Sequence, residues 1–517
     1  RGATLTQPDT ALLHYGQKVR IPVTANDSNV TLSTLVIVTP PQYGQATPDT
    51  NGNILYIHTN GTAVKDTFTY QVNGPGGLSA ATLVTVFLTN ALRLPNTNLN
   101  IPANPPPTTY FFTNAFPTLS FSSPLCLAVP NGETNRLFVC EKGGAMKVVT
   151  NTVTGTPGVA TFLNLSGLLT SRNETIATGC EQGLLGLTFH PGYNTNRYFY
   201  LYYSVTSNSV TYERLSRFTA LTANPNAADT NSEVIYFSQT DTACNHNGGD
   251  LHFGPDGYLY ISLGDGGDQN DTQDHAQKIT NGFFSGLARI DVDKRPGNPA
   301  PNIHTQVPRY GGNAAYAVPS DNPYLNATNF NGAIFKATNV FTELYAVGLR
   351  NPWRFYIDFT TSNLWCGNVG QDAFEGVYLI TNAQNCGWPY YEQSHPGPKS
   401  GSTPAGFKYT PPVWDYPHGS STYQGNCMIG GILYRGRQIP SLYGYYLCAD
   451  YVSGNCWALW LTNGVITSSN RIAGQAGLVG FTADPNNGDL LAANITSGQI
   501  VRLASATPTN SYPLNLS

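Results

Sequence analysis

The sequence carries few charges and no concentrated run of basic residues. Lys, Arg, Asp and Glu make up 11% of the 517 residues, and the formal net charge is -4. Nucleic acids and anionic membranes are bound through clustered Lys and Arg side chains. We therefore expect neither of them as a partner.

Long apolar runs, zinc-type cysteine pairs and an initiator Met are also missing. No apolar run approaches the roughly 18 residues of a membrane span, so none is predicted. The start at Arg1 is expected of a processed chain. The nine cysteines form no CxxC pair, which argues against structural zinc and favours disulfides with one thiol left over: 126, 140, 180, 244, 366, 386, 427, 448 and 456.

Nine Asn-x-Ser/Thr sequons favour a secreted glycoprotein, because this motif is the acceptor for N-linked glycans. We predict an extracellular or periplasmic location, with association to the cell surface as one form of it. The sequons begin at Asn26, Asn29, Asn60, Asn164, Asn173, Asn270, Asn326, Asn494 and Asn515.

Turn-forming and aromatic residues are abundant. The chain has 52 Gly, 36 Pro and 31 Tyr against 2 Met, which indicates an all-β fold. Residues 1–90 alternate apolar and polar positions in short runs and resemble the Ig-like or cadherin-like β-sandwich repeats of bacterial surface proteins. The resemblance suggests adhesion or spacing. Residues 91–118 read as a proline-rich linker and residues 506–517 as a C-terminal tail.

Residues 119–505 contain six cassettes, each ending in an aromatic-rich strand near a glycine turn. Units that cannot bury their faces alone, repeated over about 400 residues, favour a six-bladed β-propeller. Its long loops are where a site is expected. A pair of large sandwiches is the alternative architecture.

One stretch, residues 244–268, presents a histidine on a rigid β-framework. His246 lies between Asn245 and Asn247 and is followed by a glycine pair, a strand, a Pro-Asp-Gly turn and a second strand. A lone histidine more often caps a turn or bonds within the protein. The other motifs decide how this one is interpreted.

Six motifs occur in the order found in one enzyme family. Together they resemble the soluble pyrroloquinoline quinone (PQQ) dependent glucose/sorbosone dehydrogenases, a family that also includes the aldose sugar dehydrogenases and the propeller of hedgehog-interacting protein. The motifs are residues 181–191 (EQGLLGLTFHP), the His246 stretch, 348–355 (GLRNPWRF), 367–372 (GNVGQD), 385–389 (NCGWP) and 430–436 (GGILYRG).

The resemblance implies roles for particular residues. His246 would be the general base on the C1 hydroxyl of an aldose while hydride passes to PQQ, a task that suits an imidazole. Arg350 would lie against the quinone oxygens, supported by Asn351. Backbone carbonyls of Gly370 and Gln371 would hold Ca²⁺.

Three further residues are candidates for cofactor binding. Glu181 or Gln182 would contact the sugar or the cofactor, although Glu181 could equally tie down its own loop. Asn245 stands where the glucose dehydrogenases have an acid.

Departures from the family pattern concern charge. Residues 449–457 contain no base where tight PQQ binders place one, which leaves Arg435 and Arg437 as nearby cations, and Asp250 replaces a residue that is basic in many members. An anionic cofactor should therefore be held less strongly.

An acidic loop and a second histidine have competing interpretations. Asp265 and Asp268, with two further aspartates at 271 and 274, suit a second Ca²⁺ site or a solvated acidic loop equally well. His190 precedes a proline turn and is interpreted as structural.

Two functional hypotheses follow. In the first, a secreted quinoprotein oxidoreductase converts an aldose to its lactone with PQQ and Ca²⁺ and passes electrons to an external acceptor. In the second, a degenerate dehydrogenase propeller serves as a non-catalytic extracellular binding or surface-assembly module. A glycosidase is a distant third, because no convincing carboxylate pair is present.

Overall fold

The computed structural model describes residues 3–89, 110–153, 156–305, 307 and 315–506. The chain divides into two compact units, Arg1–Pro106 and Pro107–Ser517. Most of the predicted linker and nearly all of the predicted tail lie outside the described residues. No helix in the described ranges is both long and apolar enough to cross a membrane.

The first unit consists of strands and one 3₁₀ turn, Leu32–Thr34. Its strands form a sheet in the order β1-β9-β6-β3, a sheet in the order β2-β5-β4 and a β7-β8 hairpin. They are β1 (Asp9–His14), β2 (Lys18–Ile21), β3 (Val36–Thr39), β4 (Gly44–Pro48), β5 (Ile54–His58), β6 (Lys65–Gln71), β7 (Asn73–Gly74), β8 (Gly77–Leu78) and β9 (Thr82–Thr89).

Alternation along these strands builds the core of the unit. In β6 the buried positions are Asp66, Phe68 and Tyr70, so every second side chain points inward. The Asp66 carboxylate accepts the Tyr56 hydroxyl at 2.8 Å, which satisfies a buried charge inside the sandwich.

In the second unit the described residues form six sheets of four or five strands, together with two short hairpins. The first two sheets contain β11 (Pro124–Ala128), β12 (Arg136–Glu141), β13 (Ala145–Thr150), β14 (Gly158–Asn164), β15 (Glu174–Ile176), β16 (Leu184–Phe189), β17 (Tyr198–Ser207), β18 (Val210–Ala220) and β19 (Ala228–Thr240), with helices α1 (Leu165–Thr170) and α2 (Tyr193–Asn196).

The next two sheets are β20-β21-β22-β25 and β26-β27-β28-β31. Their strands and the accompanying hairpins are β20 (Leu251–Phe253), β21 (Leu259–Leu263), β22 (Gly286–Ile290), β23 (Asn329–Phe330), β24 (Ala333–Ile334), β25 (Leu344–Val347), β26 (Asn351–Ile357), β27 (Leu364–Val369), β28 (Phe374–Ile380), β29 (Tyr391–Glu392), β30 (His395–Pro396) and β31 (Trp414–Pro417), with 3₁₀ turns at Ala337–Asn339 and Ser400–Ser402.

The last two sheets are β32-β33-β34-β35 and β10-β38-β37-β36. They contain β32 (Met428–Leu433), β33 (Tyr446–Asp450), β34 (Asn455–Thr462), β35 (Val465–Gly474), β36 (Leu478–Ala483), β37 (Leu490–Asn494), β38 (Gln499–Ser505) and β10 (Tyr110–Asn114), with a 3₁₀ turn at Pro440–Leu442. Strand β10 falls inside the range predicted as linker. It pairs with β38 because Tyr110 and Phe112 pack on the core of this last sheet.

The leading strands of the sheets, β11, β16, β20, β26, β32 and β36, pack against one another in succession, and β36 packs against β11. The end where these strands begin is called the near end, and the end where they finish the far end. Each end holds a cavity, of about 180 Å³ at the near end and about 390 Å³ at the far end.

Arg354 ties four leading strands together between the two cavities. From β26 it donates to backbone carbonyls of Val479 on β36 (3.0 Å), Leu185 on β16 (2.9 Å) and Leu125 on β11 (3.0 Å). The neighbouring β32 approaches closely at Gly430, where a Cβ would lie 2.5 Å from the Arg354 carbonyl oxygen. A buried cation with these partners holds the strands at fixed separation.

Candidate active site

The candidate site is built from the segments that enter the leading strands at the near end. Glu181 precedes β16, His246 precedes β20 and Arg350 precedes β26. A disulfide between Cys180 and Cys244, with a Cα–Cα distance of 5.2 Å, joins the first two segments, and Glu181 donates its N–H to the Cys244 carbonyl at 2.9 Å. The covalent link therefore sets the spacing between Glu181 and His246.

His246 is held by Asp265 on a strained backbone. Its φ of 58° lies in the left-handed region, and the ring Nδ1 lies 2.7 Å from Asp265 Oδ1. His246 is 4% exposed and Asp265 is 1% exposed. Because a carboxylate only accepts, Nδ1 carries the proton and Nε2 of the neutral ring keeps its lone pair. Nε2 makes no hydrogen bond within the described chain.

Asp265 is fixed in turn by three donors. The Trp388 indole N–H bonds its Oδ2 at 2.8 Å and the Gly267 N–H bonds its Oδ1 at 3.1 Å, besides His246. Both carboxylate oxygens therefore accept hydrogen bonds, and Asp265 orients the histidine. Trp388 comes from a motif to which the sequence assigned no chemical role.

Arg350 and Asn351 lie beside this pair. The Arg350 carbonyl accepts the Asp265 N–H at 2.8 Å, and the guanidinium lies 5.6 Å from the Trp388 ring. Asn351 donates to Glu181 Oε2 at 3.0 Å, and the same oxygen accepts the His246 N–H at 2.8 Å. Glu181 thus ties the His246 and Asn351 segments together.

The Gly370 carbonyl, a predicted Ca²⁺ ligand, accepts Arg350 Nη1 at 2.6 Å. Its turn is rigid, because Glu392 Oε1 accepts the backbone N–H groups of residues 371–374 and Glu375 accepts that of Gly370 at 3.1 Å. Burial raises the pKa of Glu375, and the 2.8 Å hydrogen bond to Glu375 raises the pKa of His418.

Ca²⁺ fits these residues only if the guanidinium moves. Ca²⁺ on the Gly370 carbonyl would compete with Arg350 Nη1, since both are cations on one oxygen. Within the described residues no cluster of three His, Cys, Asp or Glu side chains could hold a metal ion. Asp268 is exposed and accepts Gln273 at 3.3 Å, while Asp271 pairs with Lys399.

Two acids, the buried Glu213 and the partly buried Asp241, lie next to the site. Asn247 donates to Glu213 Oε1 and to Asp241 Oδ2, each at 3.1 Å, and Gln182 donates to Asp241 Oδ2 at 2.6 Å. Burial, followed by the charge of Asp241, raises the pKa of Glu213 well above its ordinary value, and burial also raises the pKa of Asp241. Gln182 therefore points into this pair, although it was a candidate for cofactor binding.

The near-end cavity is mostly apolar. Trp353, Ile429 and Val479 contribute to its wall, and Lys142 is the one basic residue among its described lining. The Lys142 ammonium donates to the Cys180 carbonyl at 2.6 Å. A ligand with several carboxylates would find little positive charge here.

Two buried polar atoms near the cavity have no partner. Arg350 Nε and Asn351 Oδ1 make no hydrogen bond in the described part of the chain. Orphaned atoms of this kind need a ligand or water to satisfy them. The Arg350 Nε–H can donate to an oxygen of a flat ligand such as the quinone ring of PQQ, whereas Asn351 Oδ1 only accepts and needs an N–H or O–H donor.

Two predicted residues do not join the site. Arg435 follows β32, about 20 Å along the strand from its start, and pairs with Asp358 at 3.0 Å at the far end. Asn245 lies next to His246, with its side-chain oxygen against Gly267. The sequence also gave no role to Glu213, Asp241 and Asn247. Asn247 adjoins the predicted His246, whereas Glu213 on β18 and Asp241 after β19 lie apart from every predicted residue in the sequence.

The family model of glucose/sorbosone dehydrogenases matches residues 121–305 and 313–502, well over half of the chain. The chain belongs to the glucose/sorbosone dehydrogenase family. Residues 2–87 match the model of a bacterial Ig domain. The predicted all-β class, the family resemblance and the Ig-like module are confirmed.

Two curated relatives illustrate what the chain is similar to. The HIPL1 protein of Arabidopsis thaliana is 34% identical over 221 residues, covering 41% of this chain and 29% of that protein. The Hedgehog-interacting protein of Mus musculus is 29% identical over 332 residues, covering 62% of this chain and 40% of that protein. The chain thus spans less than half the length of these curated relatives.

A solved structure supports the fold. The PQQ-bound aldose sugar dehydrogenase of Streptomyces coelicolor superimposes with a TM-score of 0.51 at 19% identity, covering 77% of this chain and 99% of that one. At this identity the likeness concerns the fold alone. It relates the second unit to the propeller of the family's dehydrogenases.

Proposed function

We propose that the chain is a secreted sugar dehydrogenase of the quinoprotein type, which oxidises the C1 hydroxyl of an aldose to a lactone. The supporting observation is the His246–Asp265 pair, in which Nδ1 of His246 bonds Asp265 and Nε2 of His246 is free among the described residues. Asp265 also donates its N–H to the Arg350 carbonyl, so the pair lies beside Arg350. An imidazole oriented by a carboxylate is a general base suited to a hydroxyl. An external acceptor takes up the electrons.

Each residue has a distinct task in this proposal. Asp265 keeps the proton on Nδ1, so His246 Nε2 takes the proton of the sugar hydroxyl. PQQ, when bound, accepts the hydride that leaves C1. Arg350 would hold a quinone oxygen through its unpartnered Nε–H, and Asn351 would support the site through its hydrogen bond to Glu181. Carbonyls of Gly370 and Gln371 would hold Ca²⁺ once Arg350 has turned toward the cofactor.

The scaffold belongs to the same proposal. The six sheets act as the blades of a closed propeller over residues 119–505, and strand β10 completes the last blade by pairing with β38. The Ig-like module, residues 1–90, spaces the enzyme from a surface, and residues 91–118 connect the two. Glycosylation at the sequons and a periplasmic or extracellular location accompany this arrangement.

A second candidate is a non-catalytic extracellular binding or assembly module. It is favoured by the charges at the near end, where Glu181 faces the cavity and both Lys142 and Arg350 donate to backbone carbonyls. Such a site holds an anionic cofactor weakly. The partner would then be a protein, bound on another surface.

The deciding experiment is a calorimetric titration of PQQ into the calcium-loaded protein, followed by an aldose panel with a dye acceptor. Variants His246→Ala and Arg350→Ala test the site. His190→Ala is the matched control, because His190 is a buried histidine that pairs with Asp293 at 3.0 Å but follows β16 at the far end.

Micromolar binding that weakens in Arg350→Ala, with turnover lost in His246→Ala and kept in His190→Ala, is the expected result. The dehydrogenase proposal fails if the folded, calcium-loaded protein gives no binding heat at high concentration. That outcome would favour the second candidate, the non-catalytic binding or assembly module.

A further inference from the structure

Cys126 and Cys140 lie directly opposite each other on neighbouring strands of the first sheet. They are register partners in the antiparallel pair of β11 and β12. Opposite residues in such a pair have Cβ atoms about 4.5–5.5 Å apart, close to the distance that a disulfide bridges. Both are reduced in the structure.

The two side chains also point to the same face of the sheet. Cys126 and Cys140 belong to one buried cluster with Phe138, whereas their neighbours Leu127 and Val139 belong to a different cluster on the other face. The register of the two strands and the shared face of the sheet therefore both allow the two sulfur atoms to approach each other.

One of the two cysteines lines a cavity. Cys126 lines the far-end cavity of about 390 Å³, which has room for about a dozen water molecules or a small organic molecule. Cys140 is fully buried behind it. In the inference below, this cavity is the route by which a small disulfide approaches Cys126.

From this geometry we infer that Cys126 and Cys140 form a redox-active dithiol that a small-molecule disulfide entering the far-end cavity oxidises to a cross-strand disulfide. The Cys126 thiolate attacks the small disulfide and releases one thiol, which leaves a mixed disulfide. Cys140 then attacks the Cys126 sulfur and releases the second thiol. Two protein thiols and one small disulfide become one protein disulfide and two small thiols.

A Cys126–Cys140 disulfide would lie close to the strands that Arg354 joins in the second unit. Strand β11 carries the Leu125 carbonyl that accepts Arg354 Nη2 at 3.0 Å. Oxidation would tie β11 to β12 one residue from this contact, and so stiffen one of the strands that Arg354 joins. The inference does not depend on the proposed dehydrogenase activity.

Another cysteine pair provides an internal control. On β33 and β34, Cys448 lies opposite Trp457, and Cys456 lies opposite Ala449. The two cysteines consequently face opposite sides of their sheet and belong to different clusters. They are buried like the first pair but cannot form a bond.

The test uses the full chain with Cys180–Cys244 intact, incubated with bis(2-hydroxyethyl) disulfide, quenched in acid, alkylated after denaturation and mapped by mass spectrometry. The free thiols should fall from seven to five, and the two lost thiols should be found in a Cys126–Cys140 peptide. Cys448 and Cys456 should remain alkylated. Burial, followed by the neighbouring Cys126, raises the pKa of Cys140, so the bond should form faster at pH 9 than at pH 7.

Variants separate the two steps. Cys140→Ser should stop at a stable mercaptoethanol adduct on Cys126, while Cys456→Ser should still form the Cys126–Cys140 bond. If Cys140→Ser does not fold, the wild-type map decides by itself. Seven persistent thiols, a wild-type adduct on Cys126 that never resolves, or an equal yield of Cys448–Cys456 would each overturn the inference.

Discussion

At the scale of single residues, the site depends on which proton each group holds. His246 points its Nδ1 at Asp265, and the N–H groups of Gly267 and Trp388 hold the Asp265 side chain in that orientation. Glu213 and Asp241 share the donor Asn247, and burial raises the pKa of both acids, which favours their protonated forms.

Asp265→Asn should disturb the tautomer of His246. An amide at this position can donate to Nδ1, which would move the imidazole proton to Nε2 and block its role as a base. We expect ¹⁵N shifts of the His246 ring to report Nδ1–H in the wild type and Nε2–H in the variant. The proposed sugar oxidation should fall by about 10²–10⁴-fold. Asp268→Asn, an exposed neighbour, should change neither; unchanged ring shifts in Asp265→Asn would contradict the assignment.

Glu213→Gln should change how stability depends on pH. The folded-state pKa of Glu213 is raised, so the wild type loses stability as pH rises from the ordinary Glu range through that raised value. Gln cannot ionise and keeps the hydrogen bonds of a protonated acid, so the variant should lack this loss. Urea unfolding between pH 5 and pH 9 measures it.

The matched control for this prediction is Glu174→Gln, because Glu174 pairs with Arg214 at 2.8 Å and its pKa is lowered by that hydrogen bond. If the free energy of unfolding changed with pH in the same way in the wild type and in Glu213→Gln, the pair of acids would ionise as ordinary carboxylates do, and the prediction would be wrong.

At the scale of elements, the near end depends on loops that precede the leading strands. The Cys180–Cys244 disulfide joins two of these loops across 64 residues of sequence. Arg354 provides the corresponding link inside the strands. Strand β10 extends the last sheet from the opposite end of the unit's sequence.

Replacing Cys180 and Cys244 together by Ala should lower the free energy of unfolding by about 2–4 kcal/mol, because the unfolded chain regains the freedom of a long loop. Denaturant unfolding of the non-reduced protein measures this. Cys427→Ser, which removes an unbonded thiol at the same end, should change the free energy far less. Equal losses in both variants would contradict a specific role for the disulfide.

Strand β10 should be required for the stability of the second unit. A chain that begins at Phe116 loses the pairing with β38 and the packing of Tyr110 and Phe112, and should be about 2–4 kcal/mol less stable than one that begins at Pro107. Both chains lack the first unit, so the comparison isolates the strand. Equal urea midpoints would show that β10 contributes nothing.

At the scale of the whole molecule, two units with separate cores share one chain. The first unit has its own cluster of buried side chains, from Leu13 to Leu88. Separate cores usually unfold separately. The mostly apolar near-end cavity offers little positive charge, so the proposed anionic cofactor should be held weakly there.

Scanning calorimetry of the full chain should therefore show two transitions, of which only the larger is kept by a chain that begins at Pro107. The temperature of that larger transition should agree between the two chains within about 2 °C, because each core is complete without the other. A single transition in the full chain, lost as a whole when the first unit is removed, would contradict this.

By itself, the sequence determined the all-β class, the Ig-like module, the family and the neighbourhood of His246 and Arg350. Those features are carried by local signals: alternation along strands, turn residues and short motifs. Within the motifs, residues such as Gln182 and Asn247 gave no signal of the direction in which they point.

Only the tertiary structure decided the partners. Asp265 bonds His246, Arg350 donates to the Gly370 carbonyl, and Arg435 lies at the far end of its strand. Each of these depends on contacts between segments that are distant in sequence. A pattern of residue types fixes which side chains are available, whereas register and packing decide which of them meet.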